Sequence, residues 1–221
     1  MKLPLTEYKT LVFDCDGVVL NSNKVKSSAF YHAALPFGVN AAQDLVSYHV
    51  ANGGISRYEK FAYFLKEIAP NAARNISGLG LEELLKSYAL KVRSGLLSCE
   101  IAGGLLELKA RTKGIPWLIV SGGDQDELRE VFKERSLGDL FEGGIFGSPD
   151  DKELIIEREV QGNNIALPAL FIGDSKYDYK AACSSDLDFI FISDWSEVFD
   201  WEKWCAEHRI SHCNNIASIN N

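Results

Sequence analysis

The chain has little that would tie it to an oxidising compartment, a bilayer or a polyanion. Its five cysteines, Cys15, Cys99, Cys183, Cys205 and Cys213, are odd in number, irregularly spaced and without a Cys-x-x-Cys pair. That pattern fits neither a disulfide framework nor a zinc site. No apolar run is long enough to cross a membrane. The stretch Met1-Lys2-Leu3-Pro4-Leu5-Thr6-Glu7 has no apolar core of signal-peptide length. Positive charge is also scarce: 23 Lys and Arg against 31 Asp and Glu leave a net charge of −8. Nucleic acid and anionic membranes both require a basic face, so neither is expected as a partner. No internal repeat or low-complexity segment occurs. The expectation is a cytoplasmic protein that works as a monomer or weak dimer.

What is present is a core. Apolar residues make up 46% of 221 residues, too many for disorder and enough for one domain carrying a smaller insertion. Short apolar segments at Leu11–Phe13, Trp117–Val120, Gly144–Phe146, Ala169–Ile172 and Phe189–Ile192 read as buried strands. Helical patterns lie between them at about 104–113, 126–136, 152–161 and 176–184. This alternation predicts an α/β fold with a Rossmann-like parallel sheet. From 23 to 100 no strand pattern occurs. Phe61, Phe64, Leu65 and Ile68, then Leu81, Leu84, Leu85, Tyr88 and Val92, recur at helical spacing. The reading is a core of 1–22 and 101–221 with an all-helical insertion at 23–100. The tail beyond Trp195, with Trp201 and Trp204, is expected only to cover the core.

Ligands of open α/β sheets bind beyond the carboxyl ends of the strands, so the residues at those ends matter most. The first strand ends in Asp14-Cys15-Asp16-Gly17-Val18. Asp14 and Asp16, two apart in extended chain, can project together. Carboxylates held that close repel unless a cation or proton intervenes, and a divalent metal is the direct solution. The second strand ends in Ser121-Gly122-Gly123, small residues that can cradle an anion. Lys152 follows the third at a helix start, and Gly173-Asp174-Ser175 with Asp178 follows the fourth. Singly, these also read as an Asp-Gly turn, a Gly-Gly turn, a solvated lysine and an acid favoured by a helix dipole. Their recurrence at every strand end is the stronger observation.

In that order the four motifs resemble the haloacid dehalogenase-like superfamily. They are similar in particular to its phosphatases and phosphomutases with a helical cap after the first motif, the subgroup of phosphoglycolate phosphatase and β-phosphoglucomutase. The resemblance implies catalytic roles for Asp14, Asp16, Ser121 and Lys152. Asp14 is the nucleophile that forms an aspartyl-phosphate. Asp16 is the general acid/base, and its backbone carbonyl is a metal ligand. Ser121, Gly122 and Lys152 bind phosphate. Asp14, Asp16, Asp174 and Asp178 form the metal site, with Asp178 acting through water or by orienting Lys152. An all-oxygen donor set suits Mg2+. Two departures occur: Asn21-Ser22 replaces the usual Asp-Ser pair, and Glu153 follows Lys152 where many members have proline.

In the insertion, Asn52-Gly53-Gly54-Ile55-Ser56-Arg57 resembles the substrate loop of capped members, so Gly54 and Arg57 are candidate substrate contacts. Ser56 could equally be just the N-cap of a helix over 57–68. His32 and His49 read as packing or surface residues, and Cys15 needs no catalytic role. The expected activity is a Mg2+-dependent phosphomonoesterase acting on a small phosphorylated metabolite, a sugar phosphate or an organic-acid phosphate. A phosphomutase shares this chemistry and is the alternative. A phosphonate hydrolase needs a cap lysine for a Schiff base, and Lys60 and Lys66 match no such pattern. A non-catalytic binding protein on the same fold would not need all four motifs.

Overall fold

The computed structural model describes residues 4–72 and 79–219. The first three residues of the N-terminal stretch and residues 73–78 of the insertion lie outside it. Six strands form one wholly parallel sheet in the order β3-β2-β1-β4-β5-β6 among the described residues. They are β1 (Thr10–Phe13), β2 (Trp117–Asp124), β3 (Gly144–Ser148), β4 (Ala169–Gly173), β5 (Asp188–Ile192) and β6 (Ser211–Cys213). Every residue of β1 and β4 is buried, as expected for central strands covered on both faces.

Alternation along the strands builds two separate cores. Leu11, Phe13, Trp117, Ile119, Leu170 and Ile172 face one side. Val12, Leu118, Val120 and Phe171 face the other. The second side is covered by α7 (Lys152–Gln161), α8 (Lys176–Ser184) and α9 (Trp201–His208), which bring in Ile155, Ile156, Ala181, Ala182 and Trp204. On the first lie α5 (Leu105–Arg111) and α6 (Gln125–Glu134), with Leu105, Leu108, Leu128 and Val131.

All regular secondary structure among the described residues of the insertion is helical. It comprises α1 (Asn23–Ala34), α2 (Val39–Ala51), α3 (Arg57–Tyr63) and α4 (Leu81–Ser98). α4 buries Leu84, Tyr88, Val92 and Leu96, one stripe at four-residue spacing. Phe30 of α1 packs against the rings of Phe61 and Tyr88, with centroids 5.1 and 4.5 Å away. The two chains joining insertion to core run side by side. Leu20 bridges Ile101, the Asn21 amide donates to Glu100 O (2.9 Å) and the Ala102 amide to Val19 O (2.9 Å).

Three expectations change. The tail does more than cover: after α9 it adds β6 as an edge strand, pairing Ile190–Ile192 with Ser211–Cys213. The helix expected over 57–68 is α-helical only to Tyr63 and then widens to a π-turn over Phe64–Ile68. The Ser-Gly-Gly motif does not follow β2 but lies inside it, where pairing to β3 is irregular between Val120 and Asp124.

Candidate active site

Asp14 follows the last residue of β1 at the sheet's centre, and Asp174 follows the last residue of β4 next to it. Asp178 is on the first turn of α8. Its Oδ2 accepts from the Ser175 amide (3.0 Å) and hydroxyl (2.8 Å), and the Ser175 hydroxyl in return accepts from the Asp178 amide (3.1 Å). This reciprocal cap fixes the carboxylate and leaves its Oδ1 free to receive Lys152 Nζ at 2.5 Å. Lys152, the first residue of α7, also lies 2.8 Å from Asp14 Oδ1. That approach is an ion contact without hydrogen-bond geometry, so Oδ1 of Asp14 is buried with no aligned donor. Oxygens of Asp14, Asp174 and Asp178 all lie within 4.8 Å of one another.

Three acids around one lysine leave the floor short of positive charge. Burial, with Asp178 and Asp16 adding to it, pushes Asp14 up to about 7 despite Lys152. Burial and the charges of Asp14 and Asp178 hold Asp174 well above the usual carboxylate range. Lys152 behaves oppositely. Burial works against its charge, but Asp14 and Asp178 outweigh burial and raise it. A hard divalent cation would relieve the acids, and the all-oxygen donor set suits Mg2+. The buried Oδ1 of Asp14 and the clustered carboxylates therefore fit such an ion. Gly17 is required beside them: it holds φ +74°, and a Cβ there would lie 2.0 Å from Asp174 Oδ2.

Asp16 turns away from this cluster. It pairs with Lys26 and accepts from the Ser22 hydroxyl at 2.5 Å. Burial would raise its pKa, but Lys26 and these hydrogen bonds hold it below the usual value. Ser121 is fully buried, and its oxygen accepts from the Gly123 amide (3.0 Å). Gly122 touches the insertion directly, since a Cβ on it would fall 2.0 Å from Gly54 O. The loop 52–56 thus touches the floor and helps line a half-open cavity of about 740 Å3 between insertion and sheet.

Arg57 borders this cavity, but its guanidinium is committed elsewhere. It donates to both oxygens of Glu127 on α6 (2.6 and 3.3 Å) and lies 4.8 Å from the Tyr88 ring centroid. The adjacent Tyr58 donates to Asp124 (2.7 Å). Ser56 caps α3 by accepting from the Glu59 amide. His32 is exposed, whereas His49 is buried and lines the cavity.

Four cavity residues had no motif to announce them. Asn23 and Lys26 of α1 reach down to Asp174 (2.9 Å) and Asp16. His49 and Lys60 meet in the roof. The only hint for the first pair was their position in the first turn of a helix directly after the first motif. The second pair gave none.

With this geometry in view, the comparisons are specific about family. A family model described as hydrolase, haloacid dehalogenase-like hydrolase, matches residues 8–186. The chain belongs to that family. The comparison with curated proteins gives no match. Among solved structures, a predicted phosphoglycolate phosphatase from Haemophilus somnus aligns with a TM-score of 0.73 at 16% identity, covering 96% of each chain. CbbY from Rhodobacter sphaeroides, in complex with phosphate, aligns with a TM-score of 0.69 at 13% identity, covering 96% of each chain. β-Phosphoglucomutase from Clostridium difficile aligns with a TM-score of 0.69 at 16% identity, covering 96% of this chain and 93% of that one. At such identities the likeness is one of fold: a Rossmann-like core with a helical cap.

Proposed function

We propose that the protein is a Mg2+-dependent phosphomonoesterase of small phosphorylated metabolites that works through an aspartyl-phosphate. The observation that carries this is Asp14. Its buried carboxylate stands at the central strand end, one oxygen without an aligned donor, with Lys152 at 2.8 Å, and lines the cavity between sheet and insertion. Asp14, the carbonyl of Asp16, Asp174 and Asp178 would hold the metal. When bound, Mg2+ supplies charge neutralisation for the phosphoryl oxygens and the acids around them.

The chain's own groups do the rest. Asp14 attacks phosphorus, and the phosphoryl group passes from the substrate oxygen to its carboxylate. Lys152 steadies the nucleophile and the transferring oxygens. Asp178 holds Lys152 in place through the α8 cap. The Gly122 amide receives a phosphate oxygen, and the buried Ser121 hydroxyl, which accepts from the Gly123 amide, fixes that turn. Asp16 enters as a carboxylate, the form needed to activate the water that cleaves the intermediate. To protonate the leaving oxygen, Asp16 must first part from Lys26 as substrate arrives and take up a proton from water; giving that proton to the leaving oxygen restores the carboxylate that then accepts one from the attacking water. The cap at 23–100 excludes bulk water, and the paired connections at 19–22 and 100–102 carry its opening.

Hydrolysis of p-nitrophenyl phosphate tests this reading. Phosphate release should vanish in EDTA, return with Mg2+ and remain poor with Ca2+, which takes more ligands at longer distances. Equal rates in excess chelator would overturn it. Transfer of phosphate within a sugar phosphate, with none released, would reassign the protein to the mutases.

A further inference from the structure

We propose that Phe199 and Val50, at the opening of the cavity, receive an apolar, ring-bearing end of the substrate. This rests on the phosphatase reading and narrows its substrate class to monophosphates of alcohols that carry an aromatic or comparably apolar group.

Phe199 belongs to the segment that joins β5 to α9. Its neighbours turn inward. Val198 and Trp201 pack against the second core, and the Trp201 ring stacks on Phe191 with centroids 5.8 Å apart. Phe199, between them, turns out and is fully exposed, yet it lines the cavity. The segment that presents it is held at several points. The Asp194 amide donates to Asn214 O (2.9 Å), the Ser196 hydroxyl to Asp174 O (2.6 Å) and the Val198 amide to Ser196 Oγ (3.2 Å). Asn23 of α1 donates to Trp195 O (2.8 Å). The ring is therefore displayed from a chain tied to Asp174 of the catalytic floor.

A single apolar side chain in water is ordinary. Here Val50, near the end of α2, is also exposed and lines the same cavity, with the half-buried Val46, Ile55 and Val198 in its wall. Insertion and core thus both bring apolar surface to one opening. At about 740 Å3 the cavity is of a size that takes a whole small molecule, a class of roughly 300–1,000 Å3. A phosphoryl group on the floor leaves most of it for the rest of the substrate.

The charged groups at this end already have partners. Lys176 pairs with Asp200 and Lys180 with Glu153, both at 2.9 Å. Glu197 accepts from the Ser27 hydroxyl (3.3 Å) and would repel an anion. An added ionic group would have to displace one of these partners. An apolar ring gains by leaving water against Phe199 and Val50.

The test is calorimetric binding to Asp14→Asn protein in Mg2+, with ring-bearing and ringless ligands paired. 2-Phenylethyl phosphate is set against ethyl phosphate, and 4-phenylbutyl phosphate against butyl phosphate. The ring-bearing member should bind about tenfold tighter or more in at least one pair. In Asp14→Asn/Phe199→Ser that ratio should fall below about threefold. The Phe199 side chain is fully exposed, so this variant should melt as its parent does. Should it fail to fold, Val50→Ser takes its place with the same expectation. No preference in either pair overturns the proposal. So does a loss of affinity shared equally by the ringless ligands, which would leave the ratio unchanged and mark Phe199 as structural. Sedimentation of the unmodified protein covers the other occupant: a dimer that Phe199→Ser makes monomeric would give the ring to a second copy and overturn the proposal. Failure of the phosphatase reading would appear separately, as absent hydrolysis of p-nitrophenyl phosphate by the unmodified enzyme.

Discussion

Lys152 in the floor and Lys60 in the roof are almost equally buried, at 1% and 2% exposure, and they face the same chemistry from opposite sides. Lys152 contacts two carboxylates and is pushed above its ordinary pKa. Lys60 contacts a histidine and falls to about 7. Burial is common to both, so the carboxylates account for the difference. The floor carries an acid excess that suits a metal and a transferring phosphoryl group. The roof carries a buried ammonium that meets an imidazole and no carboxylate within ion-pair distance among the described residues. Floor residues are fixed by local caps and strand ends, whereas roof residues come together only when α2 and α3 pack around Phe30.

Breaking the floor should have the larger effect. Lys152→Met leaves Asp14, Asp174 and Asp178 without their lysine. Removing one partner of a buried ion pair costs about 3–5 kcal/mol, and the loss of charge stabilisation should lower kcat about 1000-fold. Urea unfolding in EDTA and steady-state phosphate release measure the two. Unchanged stability would mean that Lys152 does not hold the acids as described.

The opposite substitution should have the opposite sign. Lys60 has a folded pKa of about 7 against 10.5 in the unfolded chain. The unfolded state therefore binds the extra proton between these values, and wild-type stability rises with pH across that window. Lys60→Met removes the dependence. Its advantage should be greatest below pH 7, on the order of 5 kcal/mol, and should fade towards pH 10.5. Paired unfolding curves from pH 6 to 10 would show a converging difference, and a constant difference would contradict the assigned environment.

Arg57 joins the two regions and should have the smallest effect. Because its guanidinium grips Glu127, Arg57→Ala should loosen the closed cap and lower kcat/KM severalfold. Glu127→Gln should reproduce that loss. A deficit confined to Arg57→Ala, and to larger substrates, would return Arg57 to direct substrate contact.

The same division explains what could be read in advance. Asp14, Asp174 and Lys152 sit at fixed offsets from a strand or helix end, and Asp178 occupies the third position of α8. Such places are set by a few adjacent residues, so the floor and the parallel sheet were legible. Lys26, His49 and Lys60 hold their places through packing between helices, which no local spacing encodes. The edge strand β6 was missed for a related reason. Ser211-His212-Cys213 is polar and largely exposed, and it is a strand only because β5 offers it a free edge. The π-turn at Phe64–Ile68 continues an apolar periodicity that reads as ordinary helix.

The central claim, that Asp14 carries the phosphoryl group, is tested most directly by catching that group. Wild-type protein with Mg2+ and p-nitrophenyl phosphate, quenched in acid within the first turnover and mapped by peptide mass spectrometry, should carry one phosphoryl group on the peptide containing Asp14. Asp14→Asn should carry none and release no phosphate while melting as a folded protein. A phosphoryl group on any other residue, or turnover by Asp14→Asn near the wild-type rate, would contradict the account.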